Sequence, residues 1–193
     1  MDLKKKYADV LEKMLTPERL NHSYCVADQA KHLAKIYKFD EEKAELAGLL
    51  HDITKSLSVP EHLRIIEEAG VELDNIQKTS TKLLHSISGA IYVKKYLDVN
   101  DEDVISAIRY HTTAKPNMML LEQIIYLADF TSADRKFIDA GYMREMAENS
   151  LIDGIRFGLV YTIRDLLNKS SKIHPDTFYA YNYYQNQINY MFY

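Results

Sequence analysis

Apolar residues recur along the chain at intervals of three and four, and no stretch sustains an alternation of period two. That period belongs to helices with one buried face. Leu3, Tyr7, Val10, Leu11 and Met14 share one face of a segment from Asp2 to Met14. Thr16-Pro17 predicts a helix start, with the threonine as cap and the proline in the first turn. The helix that follows carries His22, Val26, Ala30, Leu33, Ala34 and Tyr37 as a stripe. Asp40 caps the next, with Glu41 and Glu42 where the helix dipole favours them. That helix runs into Ala44-Glu45-Leu46-Ala47-Gly48-Leu49-Leu50, almost wholly apolar and so buried, and ends on His51-Asp52.

Ser58-Val59-Pro60 opens a short helix that Gly70 ends. Polar residues from Asp74 to Lys82 read as a loop or a lid. A helix resumes around Leu83-Leu84-His85 and runs to about Tyr96. Asn100 is expected to cap Asp101 to Tyr110, which His111 closes, and Thr112 to Asn117 is a connection. Leu120 to Asp129 is apolar and again finishes in a carboxylate, followed by a polar stretch from Thr131 to Lys136. A long helix is predicted from about Glu148 to Lys169, with Ile152, Ile155, Leu159, Ile163 and Leu166 or Leu167 as its stripe. His174-Pro175-Asp176 starts a last helix dense in tyrosine: Tyr179, Tyr181, Tyr183, Tyr184 and Tyr190. The expectation is an all-α fold in one domain over residues 1–193.

The 193 residues suffice for one domain with a real core. The net charge of −4 supplies no basic field for nucleic acid or an anionic membrane, so any phosphate site must be local. The single cysteine, Cys25, allows no intrachain disulfide, which fits a reducing compartment and a cytoplasmic protein. Met1 to Val10 carries three lysines with no apolar run behind them, unlike a signal peptide. No run of eighteen apolar residues is present to span a membrane.

A buried helix that ends in an imidazole and a carboxylate must satisfy both groups, by a metal ion or by a hydrogen-bonded ion pair. His22, His51, Asp52, His85, His111 and Asp129 are spread over five helices, each on or at the end of a mainly apolar face. Neutral imidazole suits first-row transition metals, and a carboxylate can bridge two ions. Two ions about 3.5–4 Å apart can activate water and clamp phosphoryl oxygens.

The order His22 … His51-Asp52 … Asp129 resembles the HD-domain phosphohydrolases, all-α metalloenzymes of nucleotides and other phosphate esters. His85 and His111 look like the extra pair of the dinuclear branch. The strings Arg19-Leu20-Asn21-His22-Ser23, Ala47-Gly48-Leu49-Leu50-His51-Asp52-Ile53-Thr54-Lys55, Leu84-His85, His111-Thr112-Thr113 and Tyr126-Leu127-Ala128-Asp129 resemble the YqeK family, as does His174-Pro175-Asp176. The likeness runs from about Arg19 to Asn182. It implies an HD-domain helical bundle, with its metal-binding core at about 19–136 and C-terminal helices at about 148–193. It implies a bacterial symmetrical diadenosine tetraphosphate hydrolase, giving two ADP by attack of a metal-bound hydroxide. One ion would be held by His22, His51, Asp52 and Asp129, the other by His85 and His111 with Asp52 bridging. The resemblance favours iron; mixed His/Asp ligation by itself also admits manganese, zinc or cobalt.

Asp52, Lys55 and Arg135 are the expected catalytic residues, and Lys55, Thr112, Thr113 and Arg135 the expected substrate contacts. Lys55 lies one turn beyond His51 if the helix continues. A guanidinium at Arg135 can grip phosphate by two hydrogen bonds. Ala114 and Ser132-Ala133 depart from the glycine and the Glu-Pro usual in the family. An alanine at Ala114 is strained if that position needs positive φ. His32 and His62 read as surface or packing residues, and His174 as part of a helix start. Cys25 reads as a small buried residue beside His22, and Asp134 as facing water or pairing with a neighbour. The tyrosine-rich end reads as packing, in the core or at a homodimer interface. The alternative functions are hydrolysis of another nucleotide or phosphomonoester, and a non-catalytic metal- or nucleotide-binding regulator.

Overall fold

Local capping chemistry sets most of the helix starts. The computed structural model describes residues 2–187. Ten α-helices run as α1 (Leu3–Met14), α2 (Pro17–Ile36), α3 (Glu41–Leu50), α4 (Val59–Glu68), α5 (Leu84–Tyr96), α6 (Glu102–Tyr110), α7 (Leu120–Thr131), α8 (Ala140–Asn149), α9 (Leu151–Asn168) and α10 (Pro175–Gln185). The described residues contain no strand, and none of their helices is long and apolar enough to cross a membrane. Tyr190 lies outside the described residues. Thr16 Oγ1 accepts the Arg19 N–H at 3.4 Å, and the Asp40 carboxylate accepts that of Lys43 at 3.0 Å. His174 Nδ1 accepts the Asp176 N–H at 3.2 Å. Each satisfies a donor that the first helical turn leaves unpaired.

Two expected boundaries differ. The cap of α6 is Asp101, not Asn100: its carboxylate accepts the N–H groups of Asp103 and Val104 at 3.0 and 3.2 Å. Asn100 turns back to Asp98 Oδ1 at 2.7 Å. An ionised cap satisfies two donors and suits the helix dipole as well. The long helix expected from about Glu148 begins at Leu151, because Ser150 is extended (φ −156°, ψ 114°) and caps Asp153. A separate helix, α8, precedes it and buries only Ala140, Met143 and Ala147. The buried face of α9 is Leu151, Gly154, Ile155, Gly158 and Leu159, while Leu167 is exposed. Glycine lets α9 close on its neighbours: a Cβ on Gly158 would lie 2.8 Å from Met143 Cε and 3.2 Å from Tyr126.

The core gathers around α7, whose Leu121, Ile124, Ile125, Tyr126, Leu127 and Ala128 are all buried. Helices α2, α3, α6, α8 and α9 pack about it, and α5 and α4 extend the bundle beyond α6. Tyr184 is buried, its hydroxyl accepting the Met118 N–H at 3.0 Å, but Tyr179 is exposed. Tyr181 and Tyr183 are half-buried against the same core. His62 is buried against Ser88, and His32 pairs on the surface with Glu148. Cys25 is half-buried rather than buried. Ala114 does adopt a positive φ, 57°, and its methyl is fully buried. That burial, worth about 0.8 kcal/mol, offsets much of a left-handed strain of about 1–2 kcal/mol.

Helix α3 lies against α2 at Gly48, where a Cβ would sit 3.0 Å from Ala27 Cα and from Val26 O. Backbone cannot yield as a side chain can. Gly48→Ala is expected to destabilise the protein by about 1–3 kcal/mol, despite a helix-propensity gain of about 1 kcal/mol. A lower denaturant midpoint with unchanged slope would show it.

Candidate metal centre

Two helix ends aim imidazoles inward by the same device. Past the end of α3 the chain continues in turns, Lys55 N–H donating to Asp52 O at 2.8 Å. His51 Nδ1 donates to Gly48 O at 2.7 Å, and His111, just past α6, donates from Nδ1 to Ile108 O at 2.7 Å. Protonation at Nδ1 leaves each Nε2 with a lone pair facing the core, the tautomer a metal ligand needs. His22, on α2, donates from Nδ1 to Asp134 Oδ2 at 2.7 Å, and Ser132 Oγ holds the other Asp134 oxygen at 2.7 Å. Its Nε2 lies 3.0 Å from Asp129 Oδ1 on the last turn of α7. The carbonyl of His85 is fixed by Thr54 Oγ1 at 2.9 Å, itself within 2.9 Å of Ser88 Oγ.

All six predicted ligands converge. Asp52 is central, and its two oxygens face opposite halves of the cluster. Oδ2 is 3.7 Å from His51 Nε2, and Oδ1 is 3.1 and 3.5 Å from Nε2 of His85 and His111. Asp129 Oδ1 is 3.8 Å from His51 Nε2. Ligand atoms of His22, His51 and Asp129, and of His51, Asp52 and His111, lie within 4.8 Å of one another in each set. His51 Nε2 and Asp52 Oδ1 are buried with no hydrogen-bond partner. An unmet buried polar atom costs about 1–3 kcal/mol, and a divalent cation would meet both. Imidazole nitrogens with carboxylate oxygens are the donor set of a divalent transition metal.

Burial lowers His51 to about 4, so this imidazole is neutral at physiological pH. Burial, with Lys55 adding to it, lowers His85 to about 4 as well. Burial would raise the Asp52 carboxyl, but the His51, His111 and His85 imidazoles hold it well below the usual range. Asp129 is held well below by His22, Arg135 and His51 against the same burial penalty. His22 goes the other way: burial lowers it, yet Asp129 and Asp134 outweigh that and raise it above 6.5. A cation bound at its Nε2 would displace the second proton of the protonated ring. Metal affinity is therefore expected to weaken as pH falls through the raised His22 pKa, well before His51 and His85 protonate near 4. Calorimetric titration in buffers of different ionisation enthalpy should register proton release on metal binding at that site that grows as pH falls toward and below the raised His22 pKa.

The HD domain family model matches residues 19–134, a span that holds all six residues. This chain is a YqeK-type member of the HD-domain family. It is 41% identical over 177 residues to a symmetrical bis(5'-nucleosyl)-tetraphosphatase of Halalkalibacterium halodurans, covering 92% of this chain and 94% of that one. A Bacillus subtilis protein of the same name is 34% identical, covering 90% and 92%. The fold matches the crystal structure of a predicted HD superfamily hydrolase involved in NAD metabolism from Clostridium acetobutylicum. The TM-score there is 0.92 at 38% identity, over 95% and 97% of the two chains.

Three cations rim this HD-domain cluster, in which Asp129 keeps 21% of its side chain exposed. Lys55 Nζ lies 2.9 Å from His85 Nε2 and 3.5 Å from Asp52 Oδ1. It reaches the cluster from a turn rather than from a continuing helix. Arg135 donates from Nε to the Asp129 carbonyl at 2.6 Å and pairs with the Asp129 carboxylate. Arg19 NH1 lies 3.6 Å from Asp52 Oδ2. Thr112 Oγ1 is 3.1 and 3.3 Å from Nε2 of His111 and His85. Thr113 is turned away: it is buried, its hydroxyl bonded to the Ala114 carbonyl and its own carbonyl accepting from Thr177.

Sequence reasoning gave no role to Arg19 or Arg144, while Asp134, read as facing water or pairing with a neighbour, pairs with His22 and Ser132. Arg19 stands one turn before His22, a spacing that could have flagged it. Arg144, on α8, donates to the carbonyls of Thr131, Ser132 and Arg135 at 2.7–2.9 Å, pinning the loop that carries Asp134 and Arg135.

Proposed function

We propose that this chain hydrolyses diadenosine tetraphosphate symmetrically to two ADP, using two divalent ions, with iron the favoured metal. The observation that carries the reading is one carboxylate, Asp52, whose oxygens face two halves of a buried histidine cluster with a cationic rim. The names of the relatives support the substrate. His22, His51 and Asp129 would hold one ion and His85 and His111 the other, with Asp52 shared. The ions, when bound, polarise phosphoryl oxygens and acidify water.

The chain's own side chains do the rest. Phosphoryl transfer needs mainly positioning and charge neutralisation. Lys55, Arg135 and Arg19 would meet the phosphate oxygens, and the Thr112 hydroxyl would donate a further hydrogen bond. The leaving group is itself a phosphate and departs as an anion, so no side chain need supply a proton. Residues 1–193 act as one domain in this reading, in the cytoplasm, where reduced Cys25 and ferrous iron are compatible. A homodimer through the tyrosine-rich end belongs to the same proposal.

The test is anaerobic incubation of iron-loaded protein with diadenosine tetraphosphate, followed by separation of the nucleotides. ADP as the only nucleotide product is expected. AMP with ATP would overturn the symmetric register, and no product with metal bound would overturn the substrate.

A further inference from the structure

We propose that His62 is a positioning residue that holds His85 in place as a ligand of the second ion. This deepens the proposed function and rests on its two-ion reading. Three of the four clustered histidines have Nδ1 tied to a protein oxygen: His22 to Asp134, His51 to Gly48 O and His111 to Ile108 O. His85 has no such tie among the described residues. Lys55 Nζ, 3.4 Å from its Nδ1 and 2.9 Å from its Nε2, can only donate. What fixes His85 from behind is its backbone carbonyl, and a chain of buried polar groups ends there.

Thr54 Oγ1 lies 2.9 Å from His85 O, Ser88 Oγ 2.9 Å from Thr54 Oγ1, and His62 Nδ1 2.7 Å from Ser88 Oγ. All three side chains are buried. They come from three segments: His62 from α4, Ser88 from α5, and Thr54 from the turn that carries Asp52 and Lys55. Burying polar groups is costly unless each is paired, and packing by itself would be served by apolar residues here.

Counting protons sets the direction of the chain. His85 O can only accept, so Thr54 donates to it. The Thr54 hydroxyl has no second proton, so Ser88 donates to Thr54 Oγ1. Ser88 has none left either, so His62 donates from Nδ1 to Ser88 Oγ. Such a chain orders each member through the next. Ser88 Oγ also lies 3.4 Å from His85 O. A serine released by His62 has that second acceptor to turn to, and Thr54 then loses its support. Apolar contacts hold the same joint independently: Ile66 on α4 packs with Leu84 and Ile87, on either side of His85. A change at His62 that removes only the donor therefore leaves α4 docked.

The test equilibrates iron-loaded full-length protein anaerobically against graded chelator, with no nucleotide present, and reads iron per chain by mass spectrometry. Asp134→Ala, which acts on His22, marks the step that belongs to the other ion. His62→Leu is expected to loosen the ion at His85 and His111 about tenfold, in the range usual for groups behind a metal-ligating histidine, and to leave the other step unchanged. His62→Asn, whose amide N–H can take the place of Nδ1–H, is expected to restore wild-type retention. Ser88→Ala should give the shift of His62→Leu, and the double variant no more than either single change, because both act through one chain. Wild-type retention in His62→Leu, equal loss of both ions, or the same loss in His62→Asn overturns the positioning role. A wild-type protein that holds a single ion would overturn the two-ion reading and this role with it. Two ions in wild type and no effect of His62→Leu would overturn this role alone.

Discussion

Asp52→Ala is expected to abolish tight binding of both ions and to lower ADP formation by at least about a thousandfold. Metal stabilisation of transition-state charge is worth several kcal/mol, and about 4 kcal/mol is three decades in rate. The reason lies in the placement of the carboxylate. Asp52 is 3% exposed, and its oxygens are the anionic atoms that His51 meets on one side and His85 and His111 on the other. Removing it leaves a single carboxylate among the six, that of Asp129, to compensate the charge of two cations. It also frees Arg19 and Lys55, which lie 3.6 and 3.5 Å from its oxygens, to repel an incoming ion. Asp52→Asn keeps the volume and removes only the charge, and the same loss is expected from it. Metal content by mass spectrometry, read beside turnover, checks both variants. Full activity with two bound ions would sink the assignment.

The parts of this site that could be read in advance were side chains on strongly patterned helices. His51, Asp52 and Asp129 end apolar runs, and Thr16-Pro17 and His174-Pro175 mark helix starts by local chemistry that survives folding. What stayed hidden depends on contacts distant in sequence or on backbone. Gly48 O and Ile108 O fix two imidazole tautomers, and any residue has a carbonyl there. Helix α8 buries only two alanines and a methionine, too sparse a stripe to announce a helix, and Asp139 gives it no side-chain cap. With α8 unseen, the grip of Arg144 on the 131–135 loop was invisible too. The boundary at Ser150 was missed because apolar spacing continues across it, while the break is conformational.

Asp134→Ala is expected to weaken metal binding about 10–100-fold, the usual effect of removing a carboxylate behind a ligating histidine. Asp134 Oδ2 accepts from His22 Nδ1 at 2.7 Å, and that bond leaves Nε2 as the nitrogen that faces Asp129 and the cluster. Without the acceptor the ring is free to take the other tautomer or to turn, and the ligand is lost part of the time. Ser132 bears directly on this: its hydroxyl donates to Asp134 Oδ1 at 2.7 Å. A glutamate at that position, usual in the family, would set a like charge beside the carboxylate and have no proton to give it. The departure at Ser132 is thus coupled to the Asp134–His22 bond, and Ser132→Glu should weaken metal binding in the same direction. Asp134→Asn keeps an acceptor oxygen without the charge, so its loss should fall between wild type and Asp134→Ala. Arg135 is held independently, by Asp129 at its guanidinium and by Arg144 at its carbonyl. Saturating metal should therefore restore most of kcat in Asp134→Ala, while the metal concentration needed for half-maximal activity rises. His32→Ala, which breaks only the exposed pair with Glu148, serves as the control and should leave both quantities alone. An unchanged metal dissociation constant in Asp134→Ala would mean that packing alone orients His22.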